Sequence, residues 1–241
     1  VITLEKRDSI YFLTMNADEN RWNTTFVRDI AEALDEIEND EGPGALITSS
    51  TNPKFFSNGL DLDWMQAPEN HPNGGDREVF GEEFMYLMGR VITLPIPTIC
   101  AINGHAFGAG FMFALSHDVR IMREDRGFLC ANEMQLGLPI PRPELALFKH
   151  KVPANSFFET VQLSKRWTGS DALKAGIIQG IGCFEELPYM ALKKAEELAP
   201  LANNRKNYGH QKEMLYGENA AINLNHGPAF MLKNSKEFKN L

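Results

Sequence analysis

Residues 97–110 read Pro-Thr-Ile-Cys-Ala-Ile-Asn-Gly-His-Ala-Phe-Gly-Ala-Gly, and this stretch decides the fold. Pro95 and Pro97 punctuate the chain and launch an apolar run, Thr98 to Ile102, that reads as a strand. A glycine-rich segment, Asn103 to Gly110, follows it directly, and strand-like runs recur at Val119 to Met122 and Phe128 to Ala131. Upstream, Val1 to Glu5 and Ile10 to Met15 are rich in β-formers. The turn-like Lys6-Arg7-Asp8-Ser9 between them predicts a hairpin. Phe26, Val27, Ile30, Ala33, Leu34 and Ile37 recur at helical spacing behind the cap candidates Asn23 to Thr25, and Gly42-Pro43-Gly44 ends that segment. Ala45 to Ser49 reads as a short buried strand. Between Pro53 and Asp76 periodicity is lost, which predicts a long loop of the kind that carries function. Helical spacing returns at Phe80, Phe84, Leu87, Met88 and Val91, and the end of the chain reads as mainly helical, with a basic amphipathic stretch from Phe230 to Phe238. This strand-strand-helix rhythm implies a layered α/β fold.

A chain of 241 residues can bury a substantial core. Its formal charge of −8, with the cations scattered, argues against nucleic acid as a partner. Cys100, Cys130 and Cys183 lie in apolar stretches without paired or metal-ligand spacing, so they read as reduced and structural, and no metal is expected. No apolar run approaches the roughly 20 residues of a membrane-spanning helix, and the first residues do not pattern as a signal peptide. The expectation is a soluble, intracellular protein with no membrane partner. The final Lys239-Asn240-Leu241 is not a peroxisomal Ser-Lys-Leu address.

Gly104, Gly108 and Gly110 have the wrong spacing for a dinucleotide fingerprint, and no Gly-Lys-Ser/Thr follows to make a phosphate loop. Taken singly they are turn punctuation. His105 and His117-Asp118 find no second ligand at a helical offset and no Gly-x-Ser-x-Gly elbow, so hydrogen bonding within the fold is their expected role. Glu133 stands just after an apolar run, with Leu136 and Leu138 beyond it. A dry pocket there would raise its pKa and make it a better base; a helix cap or a surface glutamate is the alternative.

Three segments, in order, resemble the crotonase (enoyl-CoA hydratase/isomerase) family. They are Phe55-Phe56-Ser57-Asn58-Gly59-Leu60-Asp61-Leu62, then Pro97 to Gly104 running on to Gly108-Ala109-Gly110, and Asn132-Glu133-Met134-Gln135-Leu136-Gly137. Thr168-Gly169 and Ala172 to Ile178 add a fourth match, and Leu4-Glu5-Lys6-Arg7 with Phe55 to Leu62 and Leu115-Ser116-His117-Asp118 most resembles the plant-type peroxisomal Δ3,Δ2-enoyl-CoA isomerases. The resemblance implies a spiral of repeated β-β-α units over residues 1–185 and a helical C-terminal trimerisation region over 186–241. It also implies trimers or dimers of trimers, and a peroxisomal location.

For the site, the resemblance implies that the main-chain N–H groups of Leu60 and Ala109 receive the negative charge that grows on a thioester oxygen, with Glu133 as the lone acid/base. Ser57, Asn58, Gly59, Asp61 and Gly108, with Arg21 and Lys54, would surround an acyl-CoA substrate, coenzyme A being part of that substrate and no separate cofactor being needed. Lys233, Lys236 and Lys239 are further candidate cations, and Phe80, Phe84, Leu87 and Met88 either line an acyl tunnel or belong to the core. The hydratases of the family carry a second glutamate where this chain has Met112, which favours a 1,3-proton shift by one carboxylate. The segment Gly137 to Glu144 also departs from the hydratase pattern. Another acyl-CoA activity of the family, hydration or thioester hydrolysis, and a non-catalytic acyl-CoA-binding homologue remain the alternatives at this point.

Overall fold

The computed structural model describes every residue except 68, 70, 72, 74, 220, 221, 224 and 239–241. Lys239 therefore lies outside the described residues. The chain opens with the expected hairpin, β1 (Ile2–Arg7) paired antiparallel with β2 (Ile10–Met15). Its turn is only Asp8-Ser9, with Asp8 left-handed at φ 53°, so Lys6 and Arg7 belong to the strand. Asn23 caps α1 (Thr24–Glu38) by accepting from the Phe26 N–H, and the six apolar residues at helical spacing are all buried.

From β3 (Ala45–Ser50) onward the strands alternate between two sheets. β3 is followed by β4 (Phe55–Ser57), α2 (Leu62–Gln66) and α3 (Asp76–Thr93); β5 (Thr98–Ile102) by β6 (His105–Phe107) and α4 (Ala109–Ser116); β7 (Val119–Arg123) by β8 (Leu129–Cys130) and α5 (Arg142–Lys151). The larger sheet has the order β1-β2-β3-β5-β7-β9, parallel from β2 on, with β9 spanning Gly180–Gly182. The smaller is β4-β6-β8, also parallel. Each β-β-α unit adds one strand to each sheet and then a helix. This is the α/β spiral that the resemblance implies.

The segment expected to be one long loop, 53–76, contains β4 and α2. Three residues of strand and five of helix are too short to display a period, which is why the sequence conceals them. Downstream come α6 (Ala154–Val161), α7 (Gly169–Lys174), α8 (Leu187–Leu198), α9 (Arg205–Tyr216) and α10 (Pro228–Lys233). Helix α8 lays Leu187, Ala191 and Ala195 on Ile10, Ala45, Ile47, Ile99, Ala101 and Ile121, sealing one face of the large sheet. Helix α10 packs against α3 and α5. The stretch Phe230 to Phe238 is not one amphipathic helix: α10 stops at Lys233, and a 3-10 turn covers Ser235–Phe238. No described helix is long and apolar enough to cross a membrane.

The core that carries the site is centred on Trp22, which is fully buried with edge-on contacts to Phe26, Phe84 and Phe113 at 5.0 Å. Burying an indole without a partner for its N–H would forfeit a hydrogen bond. Trp22 Nε1 donates to Ser57 Oγ at 3.0 Å, and so ties α1's approach segment to the end of β4.

Candidate active site

Three main-chain hydrogen bonds strap the loop after β4 to the segment before α1. Asn58 N donates to Glu19 O, Trp22 N to Gly59 O and Asp61 N to Trp22 O, each at 2.9 Å. Because alternate residues of an extended chain face opposite ways, fixing Gly59 O and Asp61 N toward Trp22 turns the Leu60 N–H away from it. That N–H has no acceptor among the described residues. Gly59 makes the path possible: its φ is +80°, and a Cβ there would sit 2.8 Å from the Phe107 carbonyl oxygen.

The second loop meets the first through α4. Gly108 caps the helix at φ 48° and ψ −116°, donates its N–H to Cys130 O, and accepts from Phe111 and Met112. The first N–H groups of a helix have no partner inside it, and the Ala109 N–H finds no acceptor among the described residues. Leu60 and Ala109 line one cleft of about 430 Å³, of the size that holds small-molecule ligands. Leu62, Phe80, Phe84, Met112, Leu136 and Leu138 make most of its wall apolar.

Glu133 enters this cleft from the 3-10 turn Glu133–Leu136, just beyond β8. Its Oε1 lies 3.1 Å from where a Cβ on Gly108 would stand, so a side chain at 108, besides being strained at φ 48°, would press on the carboxylate. Its Oε2 is buried without a hydrogen-bond partner. Burial pushes its pKa above the usual carboxylate range, opposed in smaller part by its own main-chain N–H. Raising the pKa of a carboxylate in this way makes it a stronger base.

The cleft holds two carboxyl groups where the sequence led to the expectation of one. Glu144, in the first turn of α5, lines the same cleft, is only 7% exposed, and has no hydrogen bond or ion pair among the described residues. Burial, with the nearby Glu133 charge adding to it, raises its pKa to about 8. The only signal in the sequence was Pro-Arg-Pro-Glu, which reads as a helix start with an ordinary dipole-facing acid.

The other expected residues divide. Asn58, Gly59, Gly108 and Arg21 line the cleft. Asn58 Nδ2 donates to Glu19 at 2.8 Å, and Arg21 pairs with the same Glu19 at 2.7 Å. Ser57 does not reach the cleft: it is fully buried, accepting from Trp22 and donating to Asn20 O at 2.7 Å, so it braces the loop. Asp61 caps α2 by accepting from the Trp64 N–H and faces a neighbouring hollow shared with Glu19 and Asp29. Lys54 lays its ammonium over the Phe55 ring at 4.8 Å and does not line the cleft. Lys233 is held by Thr93 and Glu213, and Lys236 pairs with Glu82. Phe80 and Phe84 line the cleft, whereas Leu87 and Met88 belong to the core. His117 is a buried internal brace, bonded to Phe113 O and Thr48 Oγ1, with its pKa lowered to about 4 by burial. His105 is held by rings rather than hydrogen bonds: it stacks on Phe107 and its Nδ1 is unpartnered.

Two unpaired main-chain donors and a buried carboxylate oxygen without a hydrogen-bond partner thus share one largely apolar cleft on a β-β-α spiral. The chain belongs to the enoyl-CoA hydratase/isomerase family, whose model matches residues 5–224. It is 32% identical over 225 residues to the peroxisomal enoyl-CoA delta isomerase 2 of Arabidopsis thaliana, covering 91% of this chain and 94% of that one. It is 34% identical over 221 residues to the peroxisomal enoyl-CoA delta isomerase 1 of the same plant, covering 90% of each. A Mycobacterium tuberculosis protein, described in one apo structure as an enoyl-CoA isomerase and in another structure as a probable enoyl-CoA hydratase, superposes in the first with a TM-score of 0.78 at 25% identity, over 88% of this chain and 89% of that one. Within its family the chain stands with the isomerases and is an enzyme of that class.

Proposed function

We propose that the protein is a Δ3,Δ2-enoyl-CoA isomerase, moving the double bond of a 3-enoyl-CoA to give the trans-2-enoyl-CoA. Glu133 removes a proton from C2. The electron pair of that C–H bond spreads through the thioester carbonyl as a dienolate, and a proton delivered at C4 completes the shift; in the simplest scheme Glu133 returns it. Charge on the carbonyl oxygen is met by the N–H groups of Leu60 and Ala109, fixed before substrate arrives. The observation that carries this reading is that both unpaired donors and the bare Glu133 carboxylate line one apolar cleft.

Phe80 and Phe84 supply apolar surface for a fatty-acyl chain, and Arg21 and Asn58 offer polar contacts on the same wall, where the coenzyme A portion would bind. The peroxisomal relatives support a place in fatty-acid β-oxidation and in that organelle. Residues 186–241 are read as the part that meets neighbouring copies in a trimer or a dimer of trimers.

Hydration is the second reading, and Glu144 is what favours it, since two carboxylates can orient a water. Product analysis with purified protein separates them. A 3-enoyl-CoA converted to trans-2-enoyl-CoA, with no 3-hydroxyacyl-CoA from a 2-enoyl-CoA, supports isomerisation. Accumulation of 3-hydroxyacyl-CoA or free coenzyme A as the main product overturns it.

A further inference from the structure

Buried carboxylates elsewhere in this protein are paired. Asp76 is bound by Arg28 at 2.9 Å, and Asp118 by Lys212 at 2.6 Å with further bonds from Thr98. The two carboxyl groups of the cleft break that pattern: Glu133 Oε2 is a buried orphan, and Glu144 has no ionic or hydrogen-bonding partner among the described residues. An unpaired buried carboxylate is expensive in its charged form and settles the matter by holding a proton. The two groups arrive from different elements, Glu133 from the turn after β8 and Glu144 from the first turn of α5, and face one cleft. Neighbouring carboxylates sharing a site do not both ionise readily, so one carries charge while the other keeps its proton.

We propose that Glu144 is the second proton-transfer residue of this enzyme, the acid that delivers a proton to C4 of the dienolate after Glu133 has taken one from C2. This deepens the isomerase reading and rests on it. The steps balance. The C2–H bond breaks and its proton goes to Glu133, while its electron pair enters the conjugated enolate. The pair at C4 then forms a C–H bond with the Glu144 proton, leaving Glu144 ionised and Glu133 protonated. Loss of one proton to solvent from Glu133 and uptake of one by Glu144 restore the starting state. The raised pKa of Glu144 agrees with its holding a proton at neutral pH. The site then takes a proton at one carbon and gives one at another without either carboxylate having to travel between them.

The test separates the two half-reactions. A saturated acyl-CoA in D2O exchanges its C2 hydrogens through Glu133 and the two N–H donors alone, whereas a 3-enoyl-CoA must also be protonated at C4. Glu144→Gln is expected to keep C2 exchange within about threefold of the wild type and to lose isomerisation by about 100-fold or more. Retained exchange also certifies that the variant is folded. In the first turnover of wild-type enzyme in D2O, the product should carry solvent deuterium at C4. Isomerisation by Glu144→Gln within threefold of wild type, equal loss of exchange and isomerisation, or protium carried from C2 to C4 would each overturn the proposal. Absence of C2 exchange in the wild type would instead strike the assignment of Glu133, so the two failures are distinct.

Discussion

Replacing Glu144 by glutamine should change how stability depends on pH, and the size of the change follows from the site. In the unfolded chain this carboxyl titrates near the ordinary 4.5; in the folded protein burial raises it to about 8. At roughly 1.4 kcal/mol per pH unit, ionising Glu144 in place is disfavoured by on the order of 4–5 kcal/mol. Below about pH 4.5 the group is neutral in both states and exerts no penalty. Between 4.5 and 8 the unfolded chain has released the proton while the folded one keeps it, so stability falls as pH rises, and above 8 the full penalty persists. Glutamine, neutral throughout, escapes it. Thermal unfolding of the two proteins at equal concentration between pH 5 and 9 should therefore show the variant gaining on the wild type by on the order of 4 kcal/mol, or roughly 10–15 °C for a chain of this length. Taking the difference between the proteins at each pH removes the titrating groups that do not interact with Glu144, leaving Glu133 as the coupled neighbour. A difference that stays constant within about 1 kcal/mol across that range would mean that Glu144 is solvated or paired, and would refute its burial as a bare acid.

Gly59→Ala places a methyl group 2.8 Å from the Phe107 carbonyl oxygen at φ +80°, so the loop must shift and carry the Leu60 N–H with it. Steady-state kinetics should show kcat lower by about 100- to 1,000-fold, the loss typical of one oxyanion donor. Lys212→Met strips Asp118 of its buried partner and should destabilise by about 3–5 kcal/mol in denaturant titration, with little effect on kcat in the protein that remains folded. Activity itself should be bounded on both sides: kcat/KM falls on the acid side as Glu133 takes up a proton, at a pH above its ordinary 4.5, and on the alkaline side near 8 as Glu144 loses its own. A single acid limb with a flat profile to pH 9 would contradict the role given to Glu144.

Much of the architecture was legible because long elements advertise a period. The buried face of α1, Phe26 to Ile37, and the apolar run of β5 are examples. The glycines at 59 and 108 were legible as loops, and their ordered company with Glu133 marked the site. Short elements were not legible: β4 and α2 contain too few residues to repeat anything. Ser57 looked like a loop residue facing substrate because its partner, Trp22, lies 35 residues away, and no local pattern announces that bond. Glu144 was hidden for a related reason. A glutamate in the first turn of a proline-started helix is usually solvated, and only the packing of α5 over the cleft buries it. Lys54 shows the reverse case, a cation beside a functional loop that lies on a neighbouring ring and leaves the cleft alone.

The account depends most on Glu133 as the group that takes the C2 proton beneath two main-chain donors. The most direct measurement is the rate at which Glu133→Gln converts a 3-enoyl-CoA to the trans-2-enoyl-CoA, with acyl-CoA binding measured on the same preparation. The expected result is binding close to wild type and turnover lower by about 10,000-fold. Turnover within tenfold of wild type would show that another group does the chemistry, and the assignment of the site would have to be abandoned.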